Sequence, residues 1–187
     1  TGSMRVEIQE LAQKDVWQTN LFDGATVTKD SKINMGNLTI NGTSIDTTNK
    51  SYSDLVTEIN KISGVQASLI ESSDGKFRLA IKSTETGTAN KINFNTKDIS
   101  GNDLGVSSGA AKLFGDGSAL SDSLNVLKAQ DMQLKADGVN YSSSSNTITI
   151  DGLKITATKE SGDSTINIEN DTTTLSAQMK NFADKFN

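Results

Sequence analysis

The chain has 187 residues, a net charge of −5, and neither cysteine nor histidine. These absences exclude a disulfide framework and a thiolate metal site, and they remove the commonest general base and metal ligand. The acidic balance argues against nucleic acid or an anionic membrane as a partner, and no apolar run approaches the ~18–20 residues that cross a bilayer. Aromatic residues make up 5% of the chain, which favours two thin aliphatic cores over one deep core.

Residues 1–4 (TGSM) resemble a scar left by an expression vector, so we exclude them from the predicted fold. The chain then begins with a strand-like alternation at Val6 and Ile8, which indicates a fragment of a longer protein. Trp17 and Phe22 follow in a polar segment. The simpler interpretation is that these two aromatics anchor a connecting arm on the core, and the alternative is an exposed aromatic interface.

Asn41–Gly42 separates two alternating segments and predicts a tight β-hairpin, because both turn residues need positive φ. A helix follows, with Ser51 and Asp54 in capping-box spacing and Ser53 as the alternative N-cap. Its apolar positions lie on one helix face and are Leu55, Ile59 and Ile62. Gly64 stands where a left-handed C-cap is expected.

A second hairpin is predicted after this helix. Apolar residues alternate over 65–69 and again over 77–81, with a turn at 73–75. A helix of three turns is marginally stable alone, so its apolar face is expected to pack on the hairpin. The charged residues that alternate with the apolar ones are expected on the exposed face, and they are Lys76, Arg78 and Lys82.

Residues 84–118 have one strand candidate, at Ile92 and Phe94, and are otherwise rich in Gly, Ser, Asn and Asp, which predicts loop with short strands. A short helix or a connecting arm is predicted from Leu120, Leu124 and Leu127. The acidic segments Asp98–Asp103 and Asp116–Asp122 offer oxygen atoms that calcium could bind. They lack the ligand spacing of a calcium loop, so we interpret both as turns.

Residues 131–169 carry the clearest strand pattern. Apolar residues alternate on both sides of Asp137–Gly138 and Asp151–Gly152, two dipeptides typical of tight hairpin turns. We predict an antiparallel meander in this part of the chain.

An amphipathic helix is predicted over residues 172–187, with Asp171 as its cap. Its apolar stripe recurs at helical spacing and consists of Leu175, Met179, Phe182 and Phe186. Because both phenylalanines lie at the end of the sequence, we expect the stripe to be an interface for a further helix. In this chain both side chains are therefore predicted to be partly exposed.

No motif for catalysis or cofactor binding is present. Without His or Cys, only lysines and carboxylates remain for such chemistry, and no spacing selects a pair among the 23 acidic residues. The glycine-rich segments 101–103 and 115–117 do not lie between a strand and a helix, as a phosphate loop requires. We predict that the protein is not an enzyme, with no cofactor and no catalytic or metal site.

Several motifs, taken in order, resemble those of a known family. The central ones resemble the IN repeat of flagellin-related proteins and are Gly36-x-Leu38-x-Ile40-Asn41-Gly42, Ile59-Asn60, Gly64-Val65-x-Ala67, Gly75-x-x-x-Leu79 and Ser83-Thr84-x-Thr86-Gly87. The flanking ones resemble the flagellar filament cap family (hook-associated protein 2, FliD) and are Val6-x-Ile8-x-x-Leu11-Ala12-Gln13, Ala129-Gln130-Asp131-x-Gln133-Leu134-x-x-Asp137-Gly138-Val139, Ser145-Asn146-Thr147-Ile148, Gly152-Leu153 and Asn170-Asp171.

This resemblance implies a structural component of the bacterial flagellum, a cap at the distal filament tip that promotes flagellin polymerisation and prevents flagellin loss. It implies a ring-like homo-oligomer for the full-length protein, with flagellin and an export chaperone as further partners. It also implies an extracellular location reached through the flagellar type III system. The chain alone is expected to be able to remain monomeric, because ring contacts need segments outside it.

The predicted fold class is α+β, mainly antiparallel β, with two small β-rich domains. The resemblance implies a discontinuous inner plate domain (D2-like) of residues 5–31 and 118–171. An outer domain (D3-like) of residues 32–117, which holds the IN repeat, is inserted into it. Residues 172–187 begin a leg helix (D1-like), and the coiled coil of the family lies outside the chain.

Two alternative functions remain open at this point. The first is another structural protein of the flagellin family, such as a hook–filament junction protein or a variable flagellin domain. The second is a surface adhesin or glycan-binding module, since some members of the family act in cell adhesion. A glycan site stacks sugars on exposed aromatics, and the candidates here are Trp17, Tyr52 and Tyr141.

Overall fold

A computed structural model describes residues 2–160 and the backbone of residues 162–168. In this part the chain is mostly antiparallel β, in agreement with the predicted fold class. The strands are β1 (Gly2–Glu10), β2 (Val16–Gln18), β3 (Lys32–Ile33), β4 (Asn37–Ile40), β5 (Thr43–Asp46), β6 (Lys50–Ser51), β7 (Val65–Glu71), β8 (Phe77–Ser83), β9 (Asn95–Lys97), β10 (Asp103–Val106), β11 (Asn125–Leu127), β12 (Met132–Ala136), β13 (Val139–Ser143), β14 (Thr147–Ile150), β15 (Leu153–Thr156) and β16 (Gly162–Ile168).

Two α-helices accompany these strands, α1 (Tyr52–Ile59) and α2 (Ser108–Leu113). Single 3-10 turns occupy Thr88–Asn90 and Asp122–Leu124. None of the helices described is long and apolar enough to cross a membrane. The predicted leg helix over 172–187, its apolar stripe and its cap lie outside the described residues.

The first part of the fold, here called the inner unit, consists of β1 and β12–β16. Its main sheet has the order β13-β12-β1-β16, and β14 and β15 form a separate hairpin. The two hairpins of the predicted meander, β12–β13 and β14–β15, are confirmed. Their continuation in one sheet is wrong, because the N-terminal strand β1 lies between β12 and β16 and pairs with both. Local alternation identified the strands correctly, but it carries no information about which distant strand lies beside each one.

Strand β1 begins at Gly2, so the exclusion of residues 1–4 from the fold was wrong for residues 2–4. Met4 continues the alternation of Val6 and Ile8, and only 6% of its surface is exposed. Its backbone pairs with Ile166 of β16. Since successive side chains of a strand point to opposite faces, all three apolar residues lie on the face that packs in the core.

The second part, here called the outer unit, consists of residues 16–127. Its main sheet has the order β11-β2-β8-β7, and β3–β6, β4–β5 and β9–β10 form separate two-stranded pairs. The Asn41–Gly42 hairpin is confirmed, with φ values of +48° and +84°. Helix α1 packs against the sheet through Leu55 and Ile59, which are fully buried. The stretch from α1 to β8 therefore forms the helix-and-hairpin unit predicted from the sequence.

The buried side chains form two separate clusters, one for each unit. The inner cluster contains Met4, Val6, Ile8, Ala12, Met132, Leu134, Ala136, Ile150, Ile155 and Ala157. Trp17 belongs to the outer cluster, and Phe22, Leu120 and Leu124 pack against that cluster. The predicted boundaries at 31/32 and 117/118 therefore do not follow the division of the core, which falls near residues 12–17 and 124–132. Trp17 and Phe22 anchor their segment on the core as expected, but Trp17 lies in strand β2 of the main outer sheet rather than in a connecting arm.

Helix α2 was missed by the sequence analysis because alanine and glycine give it little hydrophobic pattern. Ala110 and Ala111 are buried, and Gly109 lies so close to β4 that a Cβ there would be 2.9 Å from the carbonyl oxygen of Asn37. Ile92 and Phe94 are buried as expected, but they precede β9 rather than forming a strand. Neither predicted alternative for Leu120, Leu124 and Leu127 is borne out as stated, because a single 3-10 turn ending at Leu124 is followed by β11, a strand that pairs with β2.

The start of α1 gives a prediction that separates the two candidate caps. The Ser51 Oγ accepts from the Asp54 N–H at 3.0 Å, and the Asp54 carboxylate accepts from the Ser51 N–H at 3.0 Å. Ser51→Ala should therefore lower the free energy of unfolding by about 1 kcal/mol. The exposed Ser53→Ala is the matched control and should change it by less than about 0.5 kcal/mol. Urea denaturation measures both values, and equal losses would contradict the assignment of the cap.

Candidate functional site

The two units meet where the chain crosses between them twice, at residues 11–15 and 128–131. The backbones of Gln13 and Gln130 pair at this crossing, with N–H···O distances of 2.8 and 3.3 Å. The Gln130 side-chain amide also donates to the Leu11 carbonyl at 3.0 Å. The two crossing segments are therefore bonded to each other rather than running as independent linkers.

Asn146 fixes the first crossing segment to the inner unit. Its Oδ1 accepts from the Ala12 N–H at 2.7 Å, and its Nδ2 donates to the Ala12 carbonyl at 3.2 Å. The Asn146 carbonyl accepts from the Ala157 N–H at 2.7 Å, beyond the end of β15. One asparagine therefore joins the β14–β15 hairpin to the segment that leads out of β1.

A loop of the outer unit, residues 84–88, contacts both crossing segments and the inner unit. The Thr86 hydroxyl donates to the Ser144 carbonyl at 2.6 Å, and the Gly87 N–H donates to the Gln13 carbonyl at 3.0 Å. The N–H and the hydroxyl of Thr88 both donate to the Asp131 carboxylate, at 2.8 and 2.9 Å. These four bonds connect the end of the IN-like segment to both crossings and to the inner unit.

Gly87 makes this close approach possible. Its φ is +101°, and a Cβ at this position would lie 2.7 Å from the Ser144 Cβ and 2.8 Å from the Ser144 carbonyl oxygen. Any other residue would have to adopt a disfavoured backbone conformation and separate the loop from the inner unit.

Residues 11–15, 84–88, 128–131 and 144–146 together form the junction between the two units. A buried carboxylate, that of Asp15, organises its outer side. Asp15 is fully buried, and its carboxylate accepts from the Ile92 N–H at 2.7 Å, the Asn125 Nδ2 at 2.8 Å and the Trp17 Nε1 at 3.3 Å. Its backbone N–H donates to the Ser83 Oγ at 3.0 Å, and its carbonyl accepts from the Ser83 N–H at 2.8 Å. Charged groups are buried only with such partners, so Asp15 fixes four separate chain segments in one arrangement.

The junction collects motifs that the sequence analysis had found far apart in the chain. Thr86-Gly87, Ala129-Gln130-Asp131 and Ser145-Asn146-Thr147 all lie here, although 43 residues separate Thr88 from Asp131. Asp15 was missed, because a single aspartate outside any motif carries no sequence signal of burial. The predicted interface residues Leu175, Met179, Phe182 and Phe186 lie outside the described residues.

The junction is suited to holding a fixed geometry rather than to chemistry. Its polar side chains bond to backbone groups and to one another, as in Thr88–Asp131 and Asn125–Asp15. Within residues 2–160, no group of three or more acidic residues is arranged to hold a metal ion. Trp17 and Tyr52 are buried and Tyr141 is half-buried, so the first two offer no face on which a sugar could stack.

The two acidic segments considered for calcium form turns whose carboxylates bind their own loops. Asp98 accepts from the N–H groups of Ser100 and Asn102, both at 2.8 Å. Asp116 accepts from those of Ser118 and Ala119 at 2.8 and 2.9 Å. The bonds from Ala119 and Ser118 favour the charged form of the Asp116 carboxylate and lower its pKa to about 2.

A family model described as "Flagellar hook-associated protein 2 C-terminus" matches residues 129–187. The chain is 29% identical over 219 aligned positions to the flagellar hook-associated protein 2 of Campylobacter jejuni. That alignment covers 99% of the chain and 34% of the relative, so the chain spans about a third of the curated protein it matches.

Solved structures with the same fold include flagellar cap proteins. The D1-D2-D3 domains of the Escherichia coli flagellar cap protein FliD match with 25% identity and a TM-score of 0.73, covering 99% of this chain and 53% of that one. The D2-D3 domains of the same protein match with 26% identity and a TM-score of 0.67, covering 91% and 89%. FliD (HAP2) from Pseudomonas aeruginosa shares the fold, with 24% identity and a TM-score of 0.68 over 99% and 87%.

The tight contact at Gly87 gives a stability prediction with a built-in control. Gly87→Ala combines a backbone conformation that other residues rarely adopt (φ +101°, ψ +154°) with a steric clash against Ser144. Gly101→Ala has a φ of +84° and nothing within 4 Å of the new Cβ. We expect Gly101→Ala to lower the free energy of unfolding by about 1–2 kcal/mol and Gly87→Ala to lower it by a further 1–3 kcal/mol or so. Amide exchange should also accelerate at Gly87 and Gln130 in the Gly87 variant alone. Equal losses in the two variants would show that the contact is not tight.

The turn at Asp116 gives a prediction about pH and calcium. Because the folded-state pKa is about 2 and the ordinary value is 3.8, this carboxylate stabilises the fold above pH 3.8, and its contribution disappears as the pH falls towards 2. Carbon-detected NMR titration should show Asp116 titrating near 2, and millimolar calcium should leave its resonance unchanged. A calcium-dependent shift would restore the metal interpretation.

Proposed function

We propose that the chain is a member of the flagellar hook-associated protein 2 family and forms the two plate domains of a cap at the distal tip of a bacterial flagellar filament. In this role the full-length protein promotes addition of flagellin subunits and prevents their loss. The observation that carries the proposal is the match of both units together to the D2-D3 domains of a flagellar cap protein. The inner unit takes the D2 position and the outer unit the D3 position.

The cap acts through its shape, and the junction fixes that shape by holding the two units in one relative orientation. A plate that guides subunits must keep its angle while flagellin presses against it. Hydrogen bonds from Thr86, Gly87 and Thr88 attach the outer unit to Ser144 and to the two crossings. The Gln13–Gln130 pair joins the crossings, and Asn146 fixes the first of them to the inner unit. Each such bond contributes about 0.5–1.5 kcal/mol, so together they hold one relative orientation more strongly than two flexible linkers do.

The partners follow from the same role. Copies of the full-length protein associate in a ring, flagellin is the substrate of assembly, and an export chaperone binds the protein before secretion through the flagellar type III system. The protein then acts outside the cell. We propose, from the sequence pattern alone, that Leu175, Met179, Phe182 and Phe186 form the stripe by which a leg helix packs against a partner helix of the longer protein.

Deletion of the gene in the source bacterium tests this role directly. We expect short or absent filaments and flagellin released into the medium, with recovery when the full-length gene is supplied. A full-length Gly87→Ala protein should restore fewer filaments than the Gly101→Ala control, because only the first variant loosens the junction. A deletion strain that grows filaments of normal length and retains its flagellin would overturn the proposal.

A further inference from the structure

Strand β7 forms an outer edge of the main sheet of the outer unit. On β8, the Leu79 carbonyl accepts from the Thr19 N–H, and the Ser83 N–H donates to the Asp15 carbonyl, both on the side of β2. Odd-numbered residues of β8 therefore direct their backbone groups towards β2 and even-numbered ones towards β7. In the antiparallel register Gln66↔Lys82 and Ser68↔Ala80, the backbone groups of Ala67 and Leu69 consequently face the free edge.

An asparagine side chain occupies this edge at Ala67. The Asn60 Oδ1 accepts from the Ala67 N–H at 2.8 Å, and the Asn60 Nδ2 donates to the Ala67 carbonyl at 3.1 Å. These are the same two bonds that a residue of a neighbouring strand would make. Asn60 is held in place as the C-cap of α1, directly after the fully buried Ile59. In the Ile-Asn pair, Ile59 therefore packs in the core and Asn60 bonds to the edge of the sheet.

The rest of the edge is poorly protected. Leu69 is the next residue whose backbone faces outward, and the neighbouring Ile70 is 43% exposed. At the far end of β7, Lys29 forms an exposed ion pair with Glu71, which is a weak interaction in water. The segment from Gln66 to Ile70 contains no charged residue that would repel an identical strand. An uncharged, partly apolar edge of this kind is a template for pairing with another chain.

We propose that Asn60 acts as a built-in substitute for a neighbouring strand, closing the edge of β7 so that two copies of the protein do not pair through it. Without this side chain the edge presents Ala67 and Leu69 in succession. A second copy then adds its own β7 in antiparallel orientation, because the Gln66–Ile70 segment lies opposite itself without like charges. With the edge closed, two copies do not pair through β7, and the two units remain free to make the contacts of the cap.

The test compares two asparagines that make the same pair of bonds in different places. Asn60→Ala removes a two-bond clamp from a sheet edge, and Asn146→Ala removes an equivalent clamp from Ala12, outside any named strand. Sedimentation velocity of the 187-residue chain should show association that rises with protein concentration for Asn60→Ala only. Adding Ile70→Lys to Asn60→Ala should restore the monomer, because a lysine on an edge strand opposes pairing.

Two results would overturn the proposal. One is a folded Asn60→Ala protein, as judged by circular dichroism, that remains monomeric at every concentration. The other is equal association of Asn60→Ala and Asn146→Ala, which would trace association to lost stability rather than to the edge.

A measurement on the unaltered protein covers the case in which Asn60→Ala does not fold. Native-state hydrogen exchange should be slower at the Ala67 amide than at the Leu69 amide, on the order of tenfold, because only the first is bonded at the edge. Equal exchange at the two amides would show that Asn60 does not close the edge. Neither experiment depends on flagellar assembly, so the outcome is separate from that of the cap proposal.

Discussion

The burial of Asp15 is the constraint on which the arrangement of the outer unit depends. A carboxylate without solvent is tolerated only when its lone pairs are satisfied, and here the partners come from β2, from the segment before β9 and from the start of β11. Leaving one such partner unmade costs about 1–3 kcal/mol. The chain therefore enters and leaves the outer unit at one defined place, and the docking of residues 84–88 on the inner unit builds on that place.

Local features of the fold were predictable because single residues determine them. The turns at Asn41–Gly42, Asp137–Gly138 and Asp151–Gly152 all have two successive positive φ values, which few residue types accept. The capping box of Ser51 and Asp54 is equally local. In each case the sequence alone restricts the backbone.

Features that rest on distant contacts were not predictable. The position of β1 between β12 and β16 depends on pairing across more than a hundred residues, as in Val6↔Ala136. The burial of α2 depends on the close approach of Gly109 to Asn37, which hydrophobic spacing does not encode. The junction lies between these cases, since its motifs were recognised individually, but their meeting in space required the fold.

The central position of β1 has a consequence for the order in which the protein folds. The outer unit is one continuous stretch, so its contacts form without either end of the chain. The sheet of the inner unit needs Gly2–Glu10 together with strands that end at Ile168. The outer unit also closes a long loop, at Asn125↔Trp17, but the loops of the inner sheet, such as Gly2↔Ile168, are longer and close more slowly. In a chain that emerges gradually, the outer unit therefore folds first. Strand β1 pairs with β12 and β16 only after those strands have emerged.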